Sequence, residues 1–305
     1  MKSKVMGLSE AVKEIPNEGA CLALGGFAIT RNPIAFVHEI IRQQKKDLDV
    51  YQTVAGMDTE LLVGAGCVKK LNYTSGSLDR FGRLERINAD IDQGKLDIRE
   101  YSGLSLSMRF LAGAMGIPFI PTKALLGTHM LRDLIEKKDD GVRVETSPFD
   151  GEKYVYLKAI QPDIAVIHAQ YADKTGNVII EGPKWDVEMA KSAKKLYVTV
   201  EKIVSEEYIK QNVEKVAIPS LYTHAIIEVP FGAFPNAVYK VYDYDREYLI
   251  DYAKTNKNID KYDNYLKEYV LGTKDHNEFL EKIGGLARLS NIKADPIFGY
   301  KVEVS

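Results

Sequence analysis

Short apolar runs rich in Val, Ile and Leu alternate along this chain with stretches whose apolar residues recur at helical spacing. That alternation constrains the fold most, because it is the pattern of an α/β protein with a largely parallel sheet. "ACLAL" at 20–24, "LDVYQTVAG", "KLNYT", "LDIREY", "DIAVIHAQ", "LYVTVEKIV" and "HAIIEVPFGAFP" read as strands. Helices are expected at Leu8–Ile15, from Asn32 through Ile41, over "TELLVGAG", near 83–93 and near 184–194. Leu104, Met108, Leu111, Ala112 and Met115 set another helix by their spacing. Asn32 is placed as an N-cap, with Pro33 at the first helical position. A polar excursion lies near 131–153, and a helical C-terminal region spans 245–289.

The first strand ends in Gly25-Gly26-Phe27 just before a helix, which either brings backbone close to a ligand or only relieves crowding at the strand end. The usual phosphate motifs are missing there. No G-x-G-x-x-G and no Walker A lysine follow, which disfavours a nicotinamide enzyme. Of His38, His129, His168, His224 and His276, no two stand at the i, i+4 spacing of a helical zinc pair. His168, inside an apolar strand, reads as a satisfied core histidine. Cys21 and Cys67 belong to no Cys-x-x-Cys pair, so metal and dithiol chemistry have no support. Ser75, beside Gly76 at a strand end, is an ordinary turn serine on spacing alone. Glu100, Glu181 and Glu201 each border an apolar run where burial raises a carboxyl pKa, and nothing in their spacing selects one.

A net charge of -2 gives no electrostatic reason to expect nucleic acid or an anionic membrane as partner. No apolar run reaches the ~18–20 residues of a membrane span, and "MKSKVMGLSE" lacks the apolar core of a secretory signal. A cytoplasmic location is expected.

Several stretches occur together in order: "KVMGLSEAV", "ALGGF", "IHAQYADKTGNVIIEG", "VTVEKIVSEE", "PFGAFP", "YDYDREYL" and "KDHNEFLEKIG". The set resembles the A (alpha) subunit of class I coenzyme A transferases, of the glutaconate CoA-transferase type. The resemblance implies an open α/β fold over 1–305 as one alpha-subunit domain. It implies that the partner is a B (beta) subunit, in an α2β2 or larger particle, with the active site between the chains. It also implies a ping-pong reaction. A glutamate attacks the acyl-CoA thioester, an acyl-glutamyl anhydride forms, and CoA returns to give a glutamyl-CoA thioester. In two-subunit members that glutamate is in the B subunit, so no catalytic residue is expected in this chain. No tightly bound cofactor or metal is expected, with the coenzyme A thioester as substrate.

Carried over residue by residue, Gly25, Gly26 and Phe27 match the family's "GGF" and line the substrate cleft, the glycine N–H groups facing developing oxyanion charge. Ser75 matches a serine that helps bind the distal carboxylate of a dicarboxylic acyl group. Gly127 and Thr128 fall where the glutaconate enzymes have a Gly-Ser loop, and Gln170 matches the glutamine of "HAQ". Phe234 stands where that type has a histidine. Two relatives of the scaffold run other chemistry, a ring-opening hydrolase and a decarboxylase. The stretch "EYSGLSLSM", with no acid after Glu100, and Lys123 at the downstream basic position argue against the hydrolase.

Overall fold

A computed structural model describes residues 2–301. The strands are β1 (Cys21–Leu24), β2 (Leu48–Ala55), β3 (Val68–Gly76), β4 (Asp97–Glu100), β5 (Phe119–Thr122), β6 (Val142–Thr146), β7 (Lys153–Lys158), β8 (Ile164–Asp173), β9 (Val178–Ile179), β10 (Lys195–Val204), β11 (Val216–Ile218) and β12 (Thr223–Glu228). Among the described residues, seven form a parallel sheet in the order β12-β10-β8-β1-β2-β3-β4. Antiparallel β9 pairs with the far end of β8, and β11 pairs with β9, bringing the sheet to nine strands. β5, β7 and β6 make a separate antiparallel sheet.

Strand order singles out one place on the sheet. From β1 the chain adds β2, β3 and β4 on one side. It returns as β8 on the other side of β1 and continues to β10 and β12. The order therefore reverses between β1 and β8. In open α/β sheets, ligands bind outside the carboxyl ends of the strands at such a reversal.

Burial on both faces makes the central strands legible as apolar runs. Leu22, Leu24, Val50 and Val166 pack into one core with Phe36, Leu61, Tyr252 and Phe279. Ala23, Tyr51, Ala165 and Ile167, one residue out of phase, pack into the other with Phe110, Leu157 and Met189. The first core is covered by α1 (Leu8–Lys13), α2 (Ile34–Arg42), α3 (Met57–Gly64), α4 (Glu85–Asp92) and the C-terminal helices. The second is covered by α5 (Gly103–Met115), the small sheet and α7 (Val187–Ser192).

The polar stretch near 131–153 contains most of α6 (His129–Glu136), then β6 and the turn into β7. α8 (Glu206–Gln211) follows β10. The C-terminal helices are α9 (Arg246–Thr255), α10 (Ile259–Tyr265) continuing as a π-helix to Leu271, α11 (His276–Lys282) and α12 (Gly285–Asn291). No helix among the described residues is long and apolar enough to cross a membrane.

One local expectation needs correcting. Pro33, not Asn32, is the N-cap of α2, since its carbonyl accepts from the Val37 N–H at 3.0 Å. Asn32 instead turns its amide inward, donating to Asp58 (2.9 Å) and accepting from Asn236 (3.0 Å). On α5, Leu104 is 60% exposed and Met115 62%, with Leu111 exposed between them. The helix is apolar on two sides, and only one of them meets this chain's core.

Candidate active site

The β1 end is built as a tight, left-handed turn. Phe27 and Thr30 exchange backbone hydrogen bonds at 2.9 Å, closing a loop over Ala28 and Ile29. Gly26 (φ 86°), Ala28 (52°) and Arg31 (54°) all occupy the left-handed region within six residues. Two of these carry a Cβ, and such conformations persist only where surrounding structure imposes them.

Asp186 does much of the imposing. Arg31 and Asp186 are both buried and form a two-pronged ion pair, at 2.9 Å and 3.1 Å. The same two guanidinium nitrogens also donate to the carbonyls of His168 (2.8 Å) and Pro183 (3.0 Å). The same carboxylate accepts from the Gly26 N–H at 3.3 Å. The Gly25 N–H donates along the ladder to Val166 (2.8 Å). Both glycine N–H groups are thus held by the chain itself. A Cβ on Gly25 would lie 2.7 Å from Asp186 Oδ2, and one on Gly26 would lie 2.8 Å from Asn32 backbone. A side chain at either position would collide with the protein itself, which is reason enough for glycine at both.

A buried polar frame supports the turn from below. Gln52 donates to the Gly25 carbonyl (3.0 Å) and to Asp58 (2.6 Å), and accepts from the Thr59 hydroxyl. Burial raises the Asp58 carboxyl to about 6 despite its donors. Its neighbour on α3, Glu60, is raised by burial to about 7, against donors from the Arg86 N–H, Asn256 and Tyr252. Both groups hold a proton more tightly folded than unfolded. Their contribution to stability is therefore complete below the ordinary carboxylate values of 3.8 and 4.5, and is lost as pH rises through about 6 and about 7. Denaturant midpoints between pH 5 and 8 will fall with pH for this reason. Asp58→Asn combined with Glu60→Gln will flatten that slope, and an unchanged slope would contradict the assignment.

At the sheet edge, Phe27 pairs with Val54, and Val54 with Ser75, giving one row across three strand ends. Ser75 is exposed, and its hydroxyl has no hydrogen-bond partner among the described residues. Phe27 packs on Trp185 with ring centroids 4.5 Å apart. Trp185 is the chain's single tryptophan and is 43% exposed. Sequence reasoning missed it, since Trp185 and Phe27 are far apart in the chain and only the fold joins them.

The other expected site residues lie elsewhere or are occupied. Gln170 is fully buried. Its amide donates to the carbonyls of Glu181 (3.1 Å) and Tyr239 (3.0 Å), and its oxygen accepts from the Glu181 N–H (3.1 Å). Gly127 and Thr128 sit at the entry to α6. Thr128 is its N-cap, accepting from Leu131 (3.2 Å) and donating to the Leu125 carbonyl (2.7 Å). Phe234 is wholly buried and meets Tyr248 edge-on at 5.1 Å.

The glutamates divide as their surroundings dictate. Glu201 is buried and accepts from His168 Nε2, the Phe231 N–H and the Tyr242 hydroxyl, each at 2.7 Å. This network clamps β8 to β10 and has no open side for a substrate. Glu181 is paired with Lys240 at 2.7 Å, and Glu100 is exposed at the end of β4. Among the described residues, no group of His, Cys, Asp and Glu side chains is placed to hold a metal.

Comparisons with known proteins agree with this fold. Residues 5–229 match the family described as Coenzyme A transferase. The chain is 36% identical to the A chain of glutaconate CoA-transferase from Acidaminococcus fermentans, over 99% of this chain and 98% of the relative. The crystal structure of the glutaconate coenzyme A-transferase from that organism superposes with a TM-score of 0.93, covering 99% of both chains. The A chain of 3-oxoadipate CoA-transferase from Pseudomonas knackmussii is 33% identical, over 92% of this chain and 98% of the relative. A variant of the decarboxylase AibA/AibB superposes with a TM-score of 0.76 at 29% identity, over 92% of this chain and 99% of that one. The parallel sheet, its reversal beside β1 and the full-length likeness lead to one conclusion: this chain belongs to the coenzyme A transferase family.

Proposed function

We propose that this chain is the alpha subunit of a heteromeric CoA-transferase that moves CoA between an acyl-CoA and a short dicarboxylic acid of the glutaconate kind. The observation that carries the reading is the row Phe27–Val54–Ser75 at the carboxyl edge beside the strand-order reversal, with an unpartnered Ser75 hydroxyl. It forms the acid-binding half of a site whose attacking glutamate comes from a beta subunit. Thioester attack by that glutamate expels the CoA thiolate and leaves an acyl-glutamyl anhydride. The thiolate then attacks the glutamyl carbonyl and releases the acid.

The polypeptide supplies binding and shape. Phe27 and Trp185 form an aromatic wall, and the Gly25–Gly26 turn with its Asp186 brace holds that wall in place. Gln170 acts through the backbone it fixes, and Gly127–Thr128 shape a separate loop. The exposed apolar side of α5 supports the heteromer, because a face of Leu104, Leu111 and Met115 is a surface to be covered. An α2β2 or larger particle working in the cytoplasm on acyl-CoA thioesters, with no other cofactor, follows from this reading. The likeness to a decarboxylase keeps a second reaction on the same scaffold in view, and the residue in the partner's attacking position separates the two.

Ser75→Ala tests the proposal. A hydroxyl donating to a carboxylate contributes roughly 1.5–3 kcal/mol. Loss of Ser75 will lower kcat/KM for glutaconyl-CoA or glutaryl-CoA by about one to two orders of magnitude. Turnover of acetyl-CoA, which has no second carboxylate, will stay nearly unchanged. Equal losses for both thioesters would remove Ser75 from acid recognition.

A further inference from the structure

Beyond Ser75 the chain leaves β3 through a closed loop. Leu78 N–H donates to the Gly82 carbonyl (2.9 Å) and Phe81 N–H to the Leu78 carbonyl (3.1 Å). Asp79 (φ 54°) and Gly82 (145°) are both in left-handed backbone. The loop presents Arg80 and Phe81 to one side of α9. Between them lies an open pocket of about 340 Å³.

Its lining is chemically one-sided. Arg80, Arg246, Lys254 and Lys257 converge on it, over a floor made by Phe81, Ile250 and Ala253. Among the described residues no carboxylate lines it. Lys254 is paired with Asp251 at 2.9 Å. Arg80, Arg246 and Lys257 take part in no ion pair within the same N–O reach among the described residues. Asp243, the acid that feels the Arg80 charge, lies outside the lining and accepts from the Lys301 N–H. Arg80 is not a free-swinging cation either. Its guanidinium rests 5.1 Å from the Tyr244 ring centre and 5.6 Å from that of Phe81. Like charges gathered in a concavity repel one another unless an anion joins them, and in a chain of net charge -2 such a cluster is a local exception.

We propose that this pocket binds the phosphorylated end of an adenine nucleotide. The cations take the phosphoryl oxygens, and the apolar floor with the Phe81 ring takes the flat face of the base. Two sources share this chemistry. One is the 3′-phospho-ADP portion of a CoA thioester, which rests on the function proposed above. The other is a free nucleotide acting as an effector, which does not.

The probe is adenosine 3′,5′-bisphosphate, titrated calorimetrically into the assembled two-subunit enzyme at low and moderate salt. The wild type is compared with the triple variant Arg80→Gln, Arg246→Gln, Lys257→Gln. All three positions are exposed, so folding is preserved, and thermal unfolding checks this. Expected is saturable binding that weakens with salt and falls about tenfold or more in the variant, or loss of one class of site. Phe81→Ala will weaken binding without changing the salt dependence. No saturable binding to the wild type, or identical binding by wild type and variant, overturns the proposal. The kinetic arm separates the sources. A similar rise in KM for the acyl-CoA, with kcat unchanged, assigns the pocket to CoA, whereas an unchanged KM assigns it to a free nucleotide. The binding arm needs no turnover, so absence of transferase activity would sink the proposed function and leave the pocket assignment standing.

Discussion

Asp186→Ala will destabilise the chain by about 3–5 kcal/mol, as expected when one partner of a buried ion pair is removed. The size follows from what remains. Arg31 is 1% exposed, and its guanidinium would keep only the His168 and Pro183 carbonyls in a place water does not reach. The Gly26 N–H loses its acceptor in the same step. A contrast on the same chain sets the scale. Lys254 and Asp251 form an exposed pair, and Asp251→Ala should cost no more than about 0.5 kcal/mol. Urea unfolding of both variants reads the difference. Trp185 is next to Asp186 and is the only tryptophan, so its emission reports locally whether the loop over the glycine turn has loosened. A loss below about 1 kcal/mol for Asp186→Ala would mean the pair does not brace the turn.

Gly26→Ala will cost about 3 kcal/mol or more, combining a left-handed backbone with a backbone collision. Gly127→Ala is the matched comparison. Gly127 has nearly the same φ, 75° against 86°, but nothing lies within 4 Å of its Cβ position. It should lose only about 1–2 kcal/mol from the conformation itself. The difference between the two measures crowding against Asn32, whose Cα and N would sit 2.8 Å from the new carbon. Equal losses would contradict the account. Relief of crowding at a strand end is one of the two reasons the glycine pair suggests in the sequence; room for an acyl group and two oxyanion donors is what the family resemblance implies.

The glycine pair shows what sequence could and could not convey. The central strands were legible because both faces are buried, so β8 and β10 read as continuous apolar runs. β6 and β7 of the small sheet were not, because "VRVET" and "KYVYLK" mix charged residues into short alternating strands. α6 lay inside a polar stretch, with only Leu131 and Leu134 buried. Helical spacing on α5 is plain in the sequence, but periodicity does not say which apolar face meets its own core and which stays exposed. The strand-end glycines were visible as a special place. Their reason was not, since Asp186 looks like any acid near a helix start until the fold sets it against Arg31. Gln170 shows the same limit from the other side. The family resemblance marked it for the substrate, and the structure uses its amide to hold Glu181 and Tyr239 backbone. Ser75 was an ordinary turn serine by spacing, and the row it shares with Val54 and Phe27 is a fact of register.

The central claim is that this chain holds half of an active site. It is tested most directly by assaying CoA transfer from glutaconyl-CoA to acetate with three samples: this chain alone, the B-type partner alone, and the two mixed and sized by light scattering. The account predicts turnover only in the mixture, in a particle containing both chains. Full turnover by this chain alone, as a monodisperse single species, would contradict it.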